Sequence, residues 1–309
     1  MTNPPWREWL AAEVWQSSSF RGKVLLFIGC AAGFALTWWA AAAVGFPPNR
    51  DGPVARVADD CLLHQHAPWP GLLMTIILIP LLVTAGSVVA GSIRRDAGLF
   101  IAGFSLMGLS LRGGAMRITI YNASGPAVLL LLALEVVILY GIIVASRLIV
   151  TPMHRMGLVV DDTVRDPTIK GDSSRSQKFM AVATSGLGMI VVLAIFAVND
   201  DKHQAIGAMF LAAAAGSFIG RAMYPVDDGL WYLLACPIVA VLGYITGFAS
   251  PSGFNVGQLD GLLSPLTRAL PLDYAGAGLC GSILGYWIAR RWQRPMEEDE
   301  QDQQPATEG

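Results

Sequence analysis

Glu135 is the residue in this 309-residue chain whose type and surroundings most demand a chemical account. It sits nine residues past Pro126 in the run PAVLLLLALEVVILYGIIVAS, which holds no other charged residue before Arg147. At ~1.5 Å per residue the run is about 31 Å long, the thickness of a bilayer's hydrocarbon core, and Glu135 falls about 13 Å deep. A carboxylate there is costly unless it is paired, protonated or turned to a wet cavity, and such residues mark ion and solute pathways. Arg112, at the end of the preceding apolar run, is its candidate partner. The two runs are joined by a short turn and are antiparallel. If the helix continues past Leu111, the guanidinium comes within about a turn of Glu135's depth. Three readings stand: a proton-coupled or anion-binding site on Glu135 and Arg112, a structural ion pair, or a neutral Glu135 hydrogen-bonded to a hydroxyl such as that of Tyr140.

A second constellation is Cys61, His64 and His66, in a polar stretch that also holds Asp59 and Asp60. Cys-x-x-His-x-His offers thiolate and imidazole ligands suited to zinc or copper, against the plain alternative of a polar loop. Hydrolytic chemistry finds no footing: there is no His-Glu-x-x-His, Gly-x-Ser-x-Gly or Walker A pattern. Thr184, Ser185 and Ser217 lie in apolar runs with no base nearby in sequence, so helix packing is their expected role. No cofactor is implied. Asn122-Ala-Ser124 matches a glycosylation acceptor, a short pattern that chance often supplies.

The elements that carry these residues follow from composition. Only 14% of the chain is charged, against about 25% for a soluble domain, and its apolar residues fall in bilayer-length runs. The fold class expected is all-α: a polytopic membrane bundle of about eight helices over 24–46, 71–93, 97–111, 126–147, 179–198, 205–220, 230–249 and 275–289. Pro80 and Pro237 are expected to kink the second and seventh. Five regions result: an interfacial or cytoplasmic segment 1–22, four spans in 23–149, a cytoplasmic loop 150–178, four spans in 179–291, and a disordered acidic tail 292–309. Leu259 to Leu270, broken by Pro265, reads as an interfacial or re-entrant helix.

With eight crossings, fifteen of the 21 Lys and Arg fall on the side of the termini. The other side holds six: Arg50, Arg56, Arg112, Arg117, Lys202 and Arg268. The positive-inside rule then makes both termini cytoplasmic, in a plasma (inner) membrane. Ser110-x-x-Gly113-x-Ala115-Met116 and Ser217-x-x-Gly220-x-Ala222-Met223 match at an offset of 107 residues. That offset lays spans two to four over spans five to seven, an inverted three-helix repeat of the kind that secondary transporters use. Small-residue stripes such as Ala277-x-x-x-Gly281-x-x-x-Gly285 let helices approach closely, and the eighth could also serve a homo-oligomer. The bilayer is the partner implied, along with a second copy or other subunits of a membrane complex. A net charge of −2 offers no basic face for nucleic acid. The functional expectation is a permease-like bundle for a small solute with a Glu135–Arg112 site. The alternative is a non-catalytic subunit or scaffold of a membrane complex, with an intramembrane enzyme behind both.

Overall fold

An apolar run in lipid can satisfy its backbone N–H and C=O groups within one segment only as an α-helix, and each of the runs above is helical over most of its described residues. The computed structural model describes residues 6–44, 68–90, 96–155, 173–199, 201–226, 228–250, 254 and 263–302. The helices are α1 (Trp6–Val44), α2 (Pro68–Ala90), α3 (Ala97–Arg112), α4 (Met116–Asn122), α5 (Ala127–Arg155), α6 (Arg175–Phe196), α7 (Lys202–Met223), α8 (Leu230–Leu233) and α9 (Ala235–Phe248). The last helix, α10, joins an α-helical Pro271–Asp273, a π-helical Tyr274–Gly278 and an α-helical Leu279–Asp302. Six stretches, in α1, α2, α5, α6, α7 and across α8–α9, are long and apolar enough to cross a membrane. The chain is a multi-pass helical membrane protein.

Helix ends differ from expectation where local chemistry decides them. α3 stops at Arg112, because Gly113 is extended (φ −71°, ψ 165°), and 116–122 forms a separate short helix. Arg112 therefore stands at a helix end rather than inside a longer span. The leading segment is continuous with the first span in one 39-residue helix. α5 runs on to Arg155, into the segment expected as loop from 150. Pro237 falls in the first turn of α9, where a proline removes no helical hydrogen bond, so a junction at Leu234 stands where a kink was expected. α10 begins at Pro271 and continues to Asp302, into the tail expected to be disordered. The Gln, Glu, Met and Arg there are good helix formers that extend a helix already nucleated. α6 starts at a capping box, with Ser174 Oγ accepting the Gln177 amide (3.2 Å) and Gln177 Oε1 accepting the Ser174 amide (2.9 Å).

The bundle is built around α10. Every residue from Ala269 to Ile283 is buried, the mark of a helix apolar on all sides and enclosed by neighbours. A Cβ at Gly281 would strike the Phe210 carbonyl of α7, and one at Gly285 would strike the Ala214 backbone. Gly276 lies on Leu106 and Met107 of α3, and Gly278 on Cys236 of α9. The small-residue stripe thus serves close helix approach inside the chain. On the periphery α1 sets Gly29 and Gly33 against Ile101 and Ser105 of α3, and the Thr37 hydroxyl lies 2.6 Å from the Ser105 carbonyl oxygen. Phe27 and Trp39 face outward.

Candidate functional site

Charged side chains collect at two levels of α10, its first turn and the level of Tyr286. At one end the centre is Asp273, only 1% exposed. Pro271 opens the helix, and Asp273, in its first turn, reaches back so that Oδ2 accepts the Leu270 amide at 2.8 Å. A carboxylate is favoured there by the helix dipole as well. Oδ1 accepts the Ser110 hydroxyl of α3, and the Lys202 ammonium of α7 lies 2.8 Å away. Three elements therefore meet on one acid. Lys202 is the first residue of α7, where the dipole disfavours a cation, so the ion pair rather than the helix holds it there. The neighbouring Asp201 caps α7 through the His203 amide (2.9 Å), and that hydrogen bond holds its carboxyl below the usual carboxylate range.

The strap 263–270 that precedes Asp273 is tied down by hydroxyls and a guanidinium. Tyr244 donates to the Ala269 carbonyl (2.6 Å) and Tyr274 to the Leu266 carbonyl (2.8 Å). Arg268 donates through Nε to the Leu263 carbonyl (2.9 Å) and through Nη1 to the Ala197 carbonyl at the end of α6. Deeper in, the Tyr274 carbonyl, at the start of the π-helical segment, accepts the Tyr140 hydroxyl of α5 at 2.9 Å, and Cys236 Sγ lies 3.6 Å from it. Single π turns inside α-helices often accompany function.

Further along α10, at the level of Tyr286, Arg147 of α5 holds Asp228 in a bidentate pair, Nη1–Oδ2 at 3.1 Å and Nη2–Oδ1 at 2.7 Å, with Asp96 Oδ1 3.9 Å away. Planar two-bond pairing of this kind fixes orientation as well as distance. Asp228 Oδ1 also accepts the Leu230 amide at the start of α8 (3.0 Å). Beside it the fully buried Arg221 donates to the Val226 carbonyl (2.7 Å) and lies 5.7 Å over the Tyr286 ring. The Tyr232 hydroxyl accepts the Val226 amide and donates to the Tyr224 carbonyl, both at 2.8 Å.

The residues singled out from the sequence are distributed differently. Glu135 is buried (1% exposed) in α5, which packs against α2, α9 and the start of α10. Arg112 turns to α1, its guanidinium 4.9 Å from the centre of the Trp38 ring. Among the described residues no hydrogen bond or ion pair joins the two. Ser185 packs at the α6–α7 crossing, where a Cβ on Gly220 would meet its hydroxyl. Cys61, His64 and His66 lie outside the described residues.

Two clefts open near the Lys202 end. One, of ≈ 430 Å³, is lined by Phe34, Ala35, Trp38, Trp39, Leu111 and His203. The other, of ≈ 280 Å³, lies between α5 and α9 and carries the hydroxyls of Thr246, Ser250, Ser264 and Thr267 beside Leu129, Phe254 and Leu263. Neither is lined by Glu135 or Arg112.

Sequence reasoning missed Asp273 and Lys202 because both lie just outside apolar runs. A usable signal was present: Pro271-x-Asp273 ahead of an apolar run is a helix start with an acid in its first turn, and Lys202, opening an earlier span, lacks a dipole partner. Comparison of the chain with protein-family models, with curated proteins and with solved structures finds no match.

Proposed function

We propose that this chain is a permease-type membrane transporter for a small polar solute, working by alternating access between two three-helix halves, α2–α3–α5 and α6–α7–α9. The 107-residue offset lays α2 on α6 with their first residues, Pro68 and Arg175, in register. It brings the first residue of α3 to within two of that of α7, and the first residue of α5 to within one of that of α9. Within each half the first helix packs on the other two, and α5 and α9 pack on each other between the halves.

The observation that carries this reading is the pair of charged latches at two levels of α10, its first turn and the level of Tyr286, each crossing between the halves. The Lys202 latch ties α7 of one half to Ser110 of the other through Asp273. The Arg147 latch ties α5 to Asp228, beside α8. Opening one end while the other stays closed is what alternating access requires. The hydroxyl-lined cleft lies at the α5–α9 junction, where repeat interfaces place solute sites. Glu135 lies six residues along α5 from Leu129 of that cleft, about 9 Å further in, and serves as the proton-coupling acid. Arg112, stacked on Trp38, stands off this path. The 15:6 distribution of basic residues puts both termini, and with them the Arg147 latch, in the cytoplasm of a cell whose plasma membrane holds the protein.

The test is transient current from proteoliposomes on a solid support, challenged with neutral amino acids, small carboxylates, sugars and small amines under an inward proton gradient. One class gives current in the wild type, and Glu135→Gln lowers the proton-driven rate about 100-fold while solute binding persists. Glu135→Ala behaves as Glu135→Gln. A folded wild type silent to all four classes, or a fully active Glu135→Gln, contradicts the reading.

A further inference from the structure

Arg112 is a half-buried cation with an aromatic face beneath it and, among the described residues, no anion beside it. Its guanidinium lies 4.9 Å from the Trp38 ring centre, and its Nε is buried without a hydrogen-bond partner. Among the described residues it makes no hydrogen bond or ion pair, whereas Lys202 and Arg147 have the carboxylates of Asp273 and Asp228, and Arg221 and Arg268 have backbone carbonyls. A guanidinium at the edge of a bilayer, partly removed from water and unpaired, is electrostatically incomplete.

The surroundings say what completes it. Trp38 and the preceding residue Leu111 are walls of the ≈ 430 Å³ cleft between α1, α3 and the start of α7. The remaining walls are Phe34, Ala35, Trp39 and His203, so the cleft is apolar except at its His203 rim. Phe34 and Trp38 stack with ring centres 6.1 Å apart and form a continuous aromatic wall. Trp39 is 82% exposed on the outer face of the bundle. Tryptophans at the end of an apolar span mark the headgroup level. An apolar slot at headgroup depth, with an arginine seated against its Trp38 wall and next in sequence to its Leu111 wall, has the chemistry of one lipid molecule, chain in the slot and phosphate on the cation.

We infer that this cleft is a binding site for an anionic phospholipid, with its phosphate on Arg112 and an acyl chain against Phe34, Ala35, Trp38 and Leu111. The Asp201 carboxylate sits 3.4 Å from the His203 imidazole on the opposite rim. That negative group repels a phosphate from the His203 side and leaves the Arg112 side as its seat. The site is independent of the transport reading: it faces lipid across α1 and shares no residue with either latch.

The experiment is native mass spectrometry of the detergent-purified full chain, titrated in parallel with phosphatidylglycerol, with phosphatidylcholine of the same chains, and with inorganic phosphate alone. The wild type binds one phosphatidylglycerol about five-fold more tightly than phosphatidylcholine, as one basic residue at an anionic headgroup implies. Inorganic phosphate leaves no adduct. Arg112→Gln erases the preference without abolishing lipid binding, and Arg112→Lys retains part of it. Ala35→Trp, which fills the slot from the lipid side and leaves the charge in place, lowers occupancy by both lipids. Unchanged preference in Arg112→Gln overturns the assignment, as does equal binding of the two lipids by the wild type. So does phosphate alone matching phosphatidylglycerol, or an Ala35→Trp variant that binds as the wild type does.

Discussion

Asp273→Ala destabilises this protein by about 3–5 kcal/mol, because it leaves the Lys202 ammonium buried with no counter-charge. The lysine side chain is 12% exposed and its partner 1%, so water reaches the lysine only partly and the carboxylate hardly at all. The Ser110 hydroxyl and the Leu270 amide lose their acceptor, and Lys202 loses its counter-charge. The double variant Asp273→Asn with Lys202→Met recovers much of the loss, since it removes both charges and keeps an acceptor for Ser110. The check is a double-mutant cycle read by thermal unfolding in detergent. A coupling energy of at least about 1 kcal/mol is expected for two groups in direct contact. Additive single and double variants would show that the pair is incidental.

The second large effect is steric. Gly281→Val or Gly285→Val drives side-chain carbon into the Phe210 carbonyl or the Ala214 backbone of α7. Backbone cannot rotate aside as a side chain does, so the cost reaches or exceeds the about 1–3 kcal/mol usual for overpacking. The central helix is displaced, and folded yield in detergent falls accordingly. Gly141 and Gly207 are the matched controls, helical glycines with no atom within 4 Å of an added Cβ. Alanine at either is neutral or stabilises by about 0.5–1 kcal/mol, since the helix gains propensity and meets nothing. Size-exclusion profiles and melting midpoints of the four variants separate the two outcomes. Equal behaviour of Gly281→Val and Gly207→Ala would remove α10 from the centre of the packing.

What could be read from the sequence was whatever the bilayer dictates. Leu130 and Val137 are exposed and Leu132 and Val136 buried, yet all four are equally apolar, so the run revealed the helix and not its faces. Solvent ordinarily writes the inward face of a helix into its sequence, but lipid does not. For the same reason the centrality of α10 was hidden: its glycines announce close approach without naming the neighbour. Helix ends were legible only where side chains cap them, as Ser174 and Asp201 do. The ion pairs were the least legible feature. Asp273 and Lys202 are 71 positions apart, and Arg147 and Asp228 are 81. Nothing local links them. Glu135 and Arg112 drew attention because each lies in or at the end of an apolar run, yet the break at Gly113 turns Arg112 toward Trp38.

Both latches are closed in this structure, and if the halves rock about α5 and α9 one must stay closed when the other opens. One labelling experiment addresses that directly. In a cysteine-free background, Thr267→Cys reports the Lys202 end and Val226→Cys the Arg147 end, both positions being buried. Each is exposed to a membrane-impermeant maleimide in proteoliposomes, with and without Arg147→Met. Breaking the Arg147 latch is expected to raise labelling at position 226 and to lower it at position 267. A rise at both ends together, or no change at 267, contradicts reciprocal opening and with it the transport account.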